Sequence, residues 1–317
     1  MDSLNRMAIE LADEALDFAE ELGVGAFELD DGATVIDFGI DFPGGIEAGL
    51  LLTELQTAGL ATVQTRMGDV AGRPIPYVEL ATDHPDLALL GCQKAGWELS
   101  VDGFEGLGSG PGRALVADEP EFRAIEYTDA FDLTVLAVES DRLPTDRVAA
   151  EVAERTDVNP EAVYLAAFPT ASIAGSVSIA ARAAELAAFR LFELGYDPTD
   201  LLTASGSAPV APVPSTEEEA MARTNDAIAY GGRVHLVVRE DSDVFADLPS
   251  TATEAYGTPF SDIFEAANWN LTDVDAGIFA PAQVTVDVVG GPTYALGERD
   301  EGILAESFGI GDGAQTT

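Results

Sequence analysis

The stretch AGSVSIAARAAELAAFRLF at 174–192 limits what this chain can become. Its charged side chains are Arg182, Glu185 and Arg190, in a chain where 23% of residues are charged. A helix that is apolar nearly all round has to be buried, so the rest of the chain must supply layers that cover it. The pattern predicts a helix from about Ser176 to Leu194, stopped by Gly195 with Pro198 just beyond. Arg182 and Glu185 are spaced i and i+3, on one face and within reach of each other. One reading is an ion pair that holds two layers together. The other is a general base in a site, because alanine-lined surroundings leave room for a ligand and place a carboxylate beside a guanidinium.

The material available to cover that helix is unusual. The chain has 57 Asp plus Glu against 15 Lys plus Arg, a formal charge of −42, yet 47% of its residues are hydrophobic and its mean hydropathy is +0.12. It can therefore bury a sizeable core. The acids are scattered between apolar residues, as in ELADEALDFAEELG at 10–23, which describes a solvated surface on all sides. Such a surface repels itself in dilute buffer and is relieved by salt, whose screening length falls to about 3 Å at 1 M. This is the pattern of a salt-adapted protein. Nucleic acid is excluded as a partner, since phosphate binding needs clustered Lys and Arg. Lys94, in QKAGW at 93–97, is the single lysine. A lysine kept where arginine has replaced the rest points to a compact ammonium in a place that a planar guanidinium does not fit.

One cysteine, Cys92, allows no disulfide and no thiolate metal cluster, and His84 and His235 are too few for a histidine zinc site. Cys92 is expected to be a small buried hydrophobe, His84 a turn residue before Pro85, and His235 a packing residue in a strand. No metal is expected. No run of about 18 apolar residues occurs, and MDSLNRMAIEL reads as an acidic amphipathic helix, not a signal peptide, so the expectation is a cytoplasmic protein with no membrane partner.

Residues 4–22 predict a helix that stops at Gly23, and FELDDGATVIDFG (27–39) predicts a hairpin around Asp-Asp-Gly. A Gly-rich passage at 41–55 precedes a strand at 77–83. GLGSGPGRAL (106–115) reads as a loop, and Asp118 to Glu121 as a turn. Strands at 133–140 and 163–169 flank a helix capped by Thr145. Residues 204–220 read as a proline-punctuated connector into a capping box at Ser215–Glu218, followed by a strand at 233–240 and a second hairpin over 284–297. Strands and helices mix without a strict βαβ beat, so α+β is favoured over a doubly wound fold.

Three further stretches offer polar groups to a ligand. PTASIAGS (169–176) brings Thr170, Ser172 and Ser176 to a helix N-terminus, which favours anions or is simply capped. In GLGSGPGRAL, Ser109 and Arg113 flank glycines whose N–H groups could line an anion nest, although neither a P-loop nor a dinucleotide fingerprint is met. ARTNDAIAYGGR (222–233) gathers Arg223, Asn225 and Asp226, donors and acceptors able to read a polar heterocycle.

These segments, with TDHPDLALLGCQKAGW, APVAP and IFAPAQVTV, resemble the methenyltetrahydromethanopterin cyclohydrolase family of archaeal one-carbon enzymes, in order and over most of the chain. The family adds water to the methenyl cation of tetrahydromethanopterin to give the 5-formyl derivative, and the reverse. The resemblance implies two α+β domains with a deep substrate pocket between them, a homotrimer, a small-molecule pterin substrate and no tightly bound cofactor. The expected domains are 1–125 with 275–317, and 126–274. It also implies that Glu185 is the catalytic glutamate, Arg182 its neighbour and Lys94 the pocket lysine, either at the developing oxyanion or at the pterin carbonyl. Ser109, Arg113, Ser172, Arg223, Asn225 and Asp226 are the expected substrate contacts. Tetrahydrofolate as the carrier, and a non-catalytic pterin-binding protein, are the alternatives.

Overall fold

A computed structural model describes residues 2–310, which form two compact units. The strands, in chain order, begin with β1 (Gly25–Glu28), β2 (Thr34–Asp37), β3 (Thr62–Val70), β4 (Arg73–Thr82), β5 (Trp97–Val101) and β6 (Phe104–Ser109). They continue with β7 (Thr134–Glu139), β8 (Val163–Phe168), β9 (Leu201–Pro209), β10 (Arg233–Val238), β11 (Gln283–Val288) and β12 (Thr293–Gly297). The helices are α1 (Leu4–Asp17), α2 (Ala19–Leu22), α3 (Ile46–Gln56), α4 (Arg113–Val116), α5 (Pro120–Ile125) and α6 (Asp146–Thr156). After them come α7 (Ile173–Ala180), α8 (Ala183–Glu193), α9 (Glu217–Gly231), α10 (Phe260–Ala266) and α11 (Glu301–Ser307).

The first unit comprises the chain up to Val63 together with Thr82–Ser178. Its sheet has the order β1-β2-β8-β7-β6-β5, parallel at β2–β8 and β8–β7 and antiparallel elsewhere. Alternation along the central strands sorts the apolar residues onto two faces. Ile36, Val135, Ala137, Ala166 and Phe168 join a core with Leu4, Ala8, Ala12, Leu52 and Leu55 of α1 and α3. Val35, Leu136, Val138, Leu165 and Ala167 face the other way, onto Val148, Ala149, Val152 and Ala153 of α6. The sheet is thus covered on both faces, which suits its continuous apolar strands.

The second unit comprises Gln64–Ala81 and the chain from Ile179. Its sheet runs β12-β11-β10-β9-β4-β3, with β11 parallel to β10 and both β9 and β12 antiparallel to their neighbours β10 and β11. Val234, Leu236, Ala204, Ala208, Val284 and Val286 are buried on one face. The alternate residues Ser205 and His235 are exposed, so His235 is not the packing residue expected of it.

These are two α+β units, but the chain is shared between them differently from the expected 1–125 with 275–317 and 126–274. Among the described residues, segment 275–310 stays with the second unit, where β11 extends the β10 edge in parallel register, Arg233–Gln283 to Val238–Val288. The β3–β4 stretch is inserted into the second sheet, and β7 and β8 are central to the first. Local segments differ too. The Gly-rich passage at 41–55 contains most of α3; 204–209 is strand, not connector; 106–109 ends β6; and Asp118–Glu121 leads into α5 with Pro120 at its first position. The ARTNDAIAYGGR stretch is helical up to Gly231, and the cap that opens α9 is Thr216, whose Oγ1 accepts from Glu219 N–H at 3.3 Å.

Close approach by small residues seats the buried α7. A Cβ on Gly49 of α3 would lie 2.6 Å from Val177 Cβ and 2.8 Å from the Ala174 carbonyl oxygen. Gly49→Ala gains about 1 kcal/mol of helix propensity, but the overlap costs about 1–3 kcal/mol. The expected net result is a lower melting temperature in molar KCl, read by circular dichroism; an unchanged or higher one would show that the α3–α7 contact is not tight.

Candidate active site

The apolar segment that carries Arg182 and Glu185 is two helices. α7 ends at Ala180, and Arg182 takes φ −83°, ψ 0°, donating its N–H to the Ile179 carbonyl at 2.9 Å, before α8 starts at Ala183. The helix ends before Leu194, and Gly195 takes the positive φ of +86° expected of a stop. Glu185 lies in the first turn of α8, where the exposed N–H dipoles favour an anion. Arg182 Nε donates to Glu185 Oε2 at 3.0 Å, and the side chains are 13% and 1% exposed. Gly206 on β9 sets this turn from outside: a Cβ there would lie 2.7 Å from Ala184 N and 2.9 Å from Ala184 Cβ. Only glycine lets the strand backbone press so close to the residue that precedes Glu185. The outcome is a buried carboxylate with one guanidinium fixing its orientation, an arrangement suited to taking a proton from water.

Lys94 follows a π-helical segment, Asp86–Gln93, and its N–H bonds to the Leu89 carbonyl at 2.8 Å. Its Nζ stands 2.8 Å from Glu121 Oε1 and 3.2 Å from Glu119 Oε2. Arg113 grips Glu119 with both sides of its fork, Nε to Oε1 at 2.8 Å and Nη2 to Oε2 at 2.6 Å, and donates from Nη1 to the Lys94 carbonyl at 2.7 Å. Two cations thus face two carboxylates, and Lys94 is held at both its backbone and its ammonium. Burial alone would raise the Glu119 pKa; hydrogen bonds and charge from Arg113 and Lys94 outweigh it and hold the carboxyl below its ordinary range. Gln93, fully buried, has neither amide atom partnered, and Glu121 Oε2 is likewise buried and unpartnered. Glu119, Glu121 and Gln93 were not among the expected site residues. The only local sign of the first two was acid on either side of Pro120, next to nothing in sequence that marks Lys94 as their partner.

Several of the expected contacts have partners within the fold. Arg113 is 0% exposed with all three of its guanidinium nitrogens engaged within the fold, and it braces Lys94. Ser109 Oγ is buried and accepts from Gln56 Nε2 at 3.1 Å, while Ser178 donates to Gln56 Oε1 at 2.7 Å, a chain that ties β6 to α3 and α7. Ser172 Oγ caps a turn, accepting from Gly175 N–H at 2.9 Å and donating to the Pro169 carbonyl at 2.9 Å. Asp226 is buried on α9 and accepts from Phe260 N–H at 2.9 Å and from Ser307 Oγ at 2.6 Å, joining α10 and α11 to α9. Arg223 and Asn225 remain partly exposed; Arg223 pairs with Glu219 at 2.5 Å beside a groove lined by Glu218, Asp262 and Glu265. Cys92 is fully buried, as expected, and burial pushes its thiol up to about 12, so it is unreactive. His84 is exposed before Pro85. Among the described residues no group of three or more His, Cys, Asp and Glu could hold a metal ion.

The sequence profile of the Cyclohydrolase (MCH) family matches residues 3–308. The chain belongs to this family. It is 62% identical over 310 residues to the methenyltetrahydromethanopterin cyclohydrolase of Halobacterium salinarum, covering 98% of this chain and 100% of that protein. The enzymes of that name from Methanosarcina mazei and Methanothermobacter marburgensis are 40% and 39% identical over 318 and 320 residues, again covering 98% of this chain.

Asp226 supplies a pH-dependent test of the scaffold assignment. Burial raises its pKa from 3.8 to about 6, opposed by the hydrogen bonds from Ser307 and Phe260 and supported by the nearby Asp262 and Glu306 charges. A raised carboxyl pKa means that the folded state holds the proton more tightly, so this group favours folding most at low pH. That advantage, about 3 kcal/mol for a shift of this size, is lost as pH rises from 3.8 through about 6. Asp226→Asn should therefore gain on the wild type in denaturant midpoint between pH 4 and pH 8, with no further gain above. A difference that stays flat with pH would remove Asp226 from this role.

Proposed function

We propose that this chain interconverts 5,10-methenyl-tetrahydromethanopterin plus water and 5-formyl-tetrahydromethanopterin, in keeping with the name methenyltetrahydromethanopterin cyclohydrolase that its relatives carry. The observation that carries the chemistry is Glu185, a carboxylate 1% exposed and oriented by Arg182 at 3.0 Å. The methenyl carbon between N5 and N10 is a resonance-stabilised cation, and a buried anion suits its binding. Water attacks that carbon while Glu185 takes a proton from it. As the tetrahedral adduct collapses, its hydroxyl proton leaves to solvent, the bond from the carbon to N10 breaks, N10 takes the proton held by Glu185, and the formyl group stays on N5. Arg182 holds the carboxylate in line through the step. Lys94 serves either the developing oxyanion, which a preorganised donor stabilises, or the pterin carbonyl. Its hold by Arg113, Glu119 and Glu121 supports either role, since each needs a fixed ammonium. Arg223 and Asn225 are the remaining candidates for contacts to the carrier. We infer a cytoplasmic homotrimer working in molar salt without a tightly bound cofactor, which the acidic surface supports in its salt requirement alone.

The test is loss of the methenyl near-UV absorbance at about 2 M KCl, where surface repulsion is screened, with tetrahydromethanopterin and tetrahydrofolate substrates run side by side. Turnover of neither sinks the proposal, and the faster one names the carrier. Glu185→Gln should lower kcat by about 10²–10⁴-fold while the fold is kept; near-full activity would remove Glu185 as the base. Lys94→Arg should cut kcat severely at substrate saturation, measured on protein whose circular dichroism matches the wild type. A variant that is merely less stable, with kcat intact, would leave Lys94 a structural residue.

A further inference from the structure

In a chain with so few cations, three arginines of the second unit come within electrostatic reach of one another. Arg66 on β3 and Arg233 on β10 both approach the Tyr77 ring on β4, their guanidinium carbons 4.9 and 5.8 Å from its centroid. Arg299, just beyond β12, acts on both Tyr77 and Arg233. Arg66 pairs with Glu79, and Arg299 pairs with Glu301 at 3.0 Å. The Arg233 side chain has neither an ion pair nor a hydrogen bond among the described residues, and its Nε is buried without a partner. Directly opposite it in the antiparallel register of β9 and β10 is Ser207, whose Oγ is also buried and unpartnered. Residues so paired hold their Cβ atoms about 4.5–5.5 Å apart on one face of the sheet. Burial first, and then the Arg66 and Arg299 charges, draw the Arg233 pKa downward, so its cation is held at a cost. With three guanidinium groups against Glu79 and Glu301, one positive charge is left over on a molecule of net charge −42.

Two unpartnered donors side by side beneath an uncompensated positive charge describe a place for an anion. We propose that Arg233 and Ser207, flanked by Arg66 and Arg299, form an oxyanion-binding site for a phosphate or carboxylate group. The guanidinium fork offers two parallel N–H donors to such a group, and the serine hydroxyl adds a third. The anion is either a free inorganic ion or the anionic end of a larger ligand, the enzyme's own substrate included. The site stands on its own residues and does not depend on Glu185 acting as a base.

The experiment is a ³¹P NMR titration of the full chain with inorganic phosphate in molar KCl. Wild type should show saturable broadening by about 50 mM, well above a millimolar dissociation constant. Arg233→Gln should weaken binding by about tenfold or more, and Ser207→Ala by a smaller but measurable factor, the loss of one of several donors to a charged group. Circular dichroism checks both variants; if Arg233→Gln fails to fold, Ser207→Ala, which removes one oxygen, carries the test. Phosphate that competes with the methenyl substrate assigns the site to the substrate's anionic end; phosphate that binds without competing assigns it to a free ion. No saturable binding by wild type, or equal binding by wild type and the folded variants, overturns the proposal.

Discussion

The α7–α8 segment is apolar nearly all round, and everything that covers it must come close. Closeness is achieved by leaving out side chains. Gly49 lets α3 lie on Val177 and Ala174 in the first unit, and Gly206 lets β9 press on Ala184 in the second. Removing a Cβ costs helix or strand propensity locally, but it brings backbones near enough for dense van der Waals contact. The Glu185 carboxylate inherits its position from this packing. Its turn is seated by a strand backbone, so Arg182 has to settle only the carboxylate's orientation and not the place of the helix.

The second constraint is charge. With 57 acids and 15 bases, cations are scarce, and where they are buried reveals what the fold needs. Arg113 and Lys94 balance Glu119 and Glu121, and Arg182 balances Glu185. A buried pair of this kind stabilises little in net terms, because desolvation offsets most of the attraction, but losing one partner strands the other. Such clusters therefore specify geometry more than they add stability. Arg233 breaks the pattern, being partly buried and unpaired while acids are abundant everywhere else.

Much of the architecture was legible because it is written locally. Continuous apolar runs marked β7 and β8, the Asp-Asp-Gly and Gly-Gly turns marked two hairpins, and Gly23 and Gly195 marked helix ends. The Arg182–Glu185 pair was legible for the same reason, since three residues on a helix are neighbours in space. Asp118 to Glu121 was read as a turn, although Pro120 opens a helix there, because proline suits both. The polar residues of the TNDAIAYGG stretch suggest groups free for a ligand, yet Thr224 and Asn225 satisfy themselves on the carbonyls of Ala220 and Met221 inside α9.

The sequence by itself determined that the chain has a buried apolar helix with one ion pair, a salt-dependent acidic surface, mixed α+β elements and a lysine under some special demand. Each follows from composition or from spacing within a few residues. Tertiary structure alone decided what that demand is made of: Glu119 and Glu121 reach Lys94 from 25 and 27 residues away, and Arg113 closes the cluster from below. It also decided that β11 pairs with β10 and that β3–β4 joins the second sheet, so that the chain passes from one unit to the other three times. Edge pairing depends on which strand ends lie free after the cores have formed, and no local pattern of side chains encodes that.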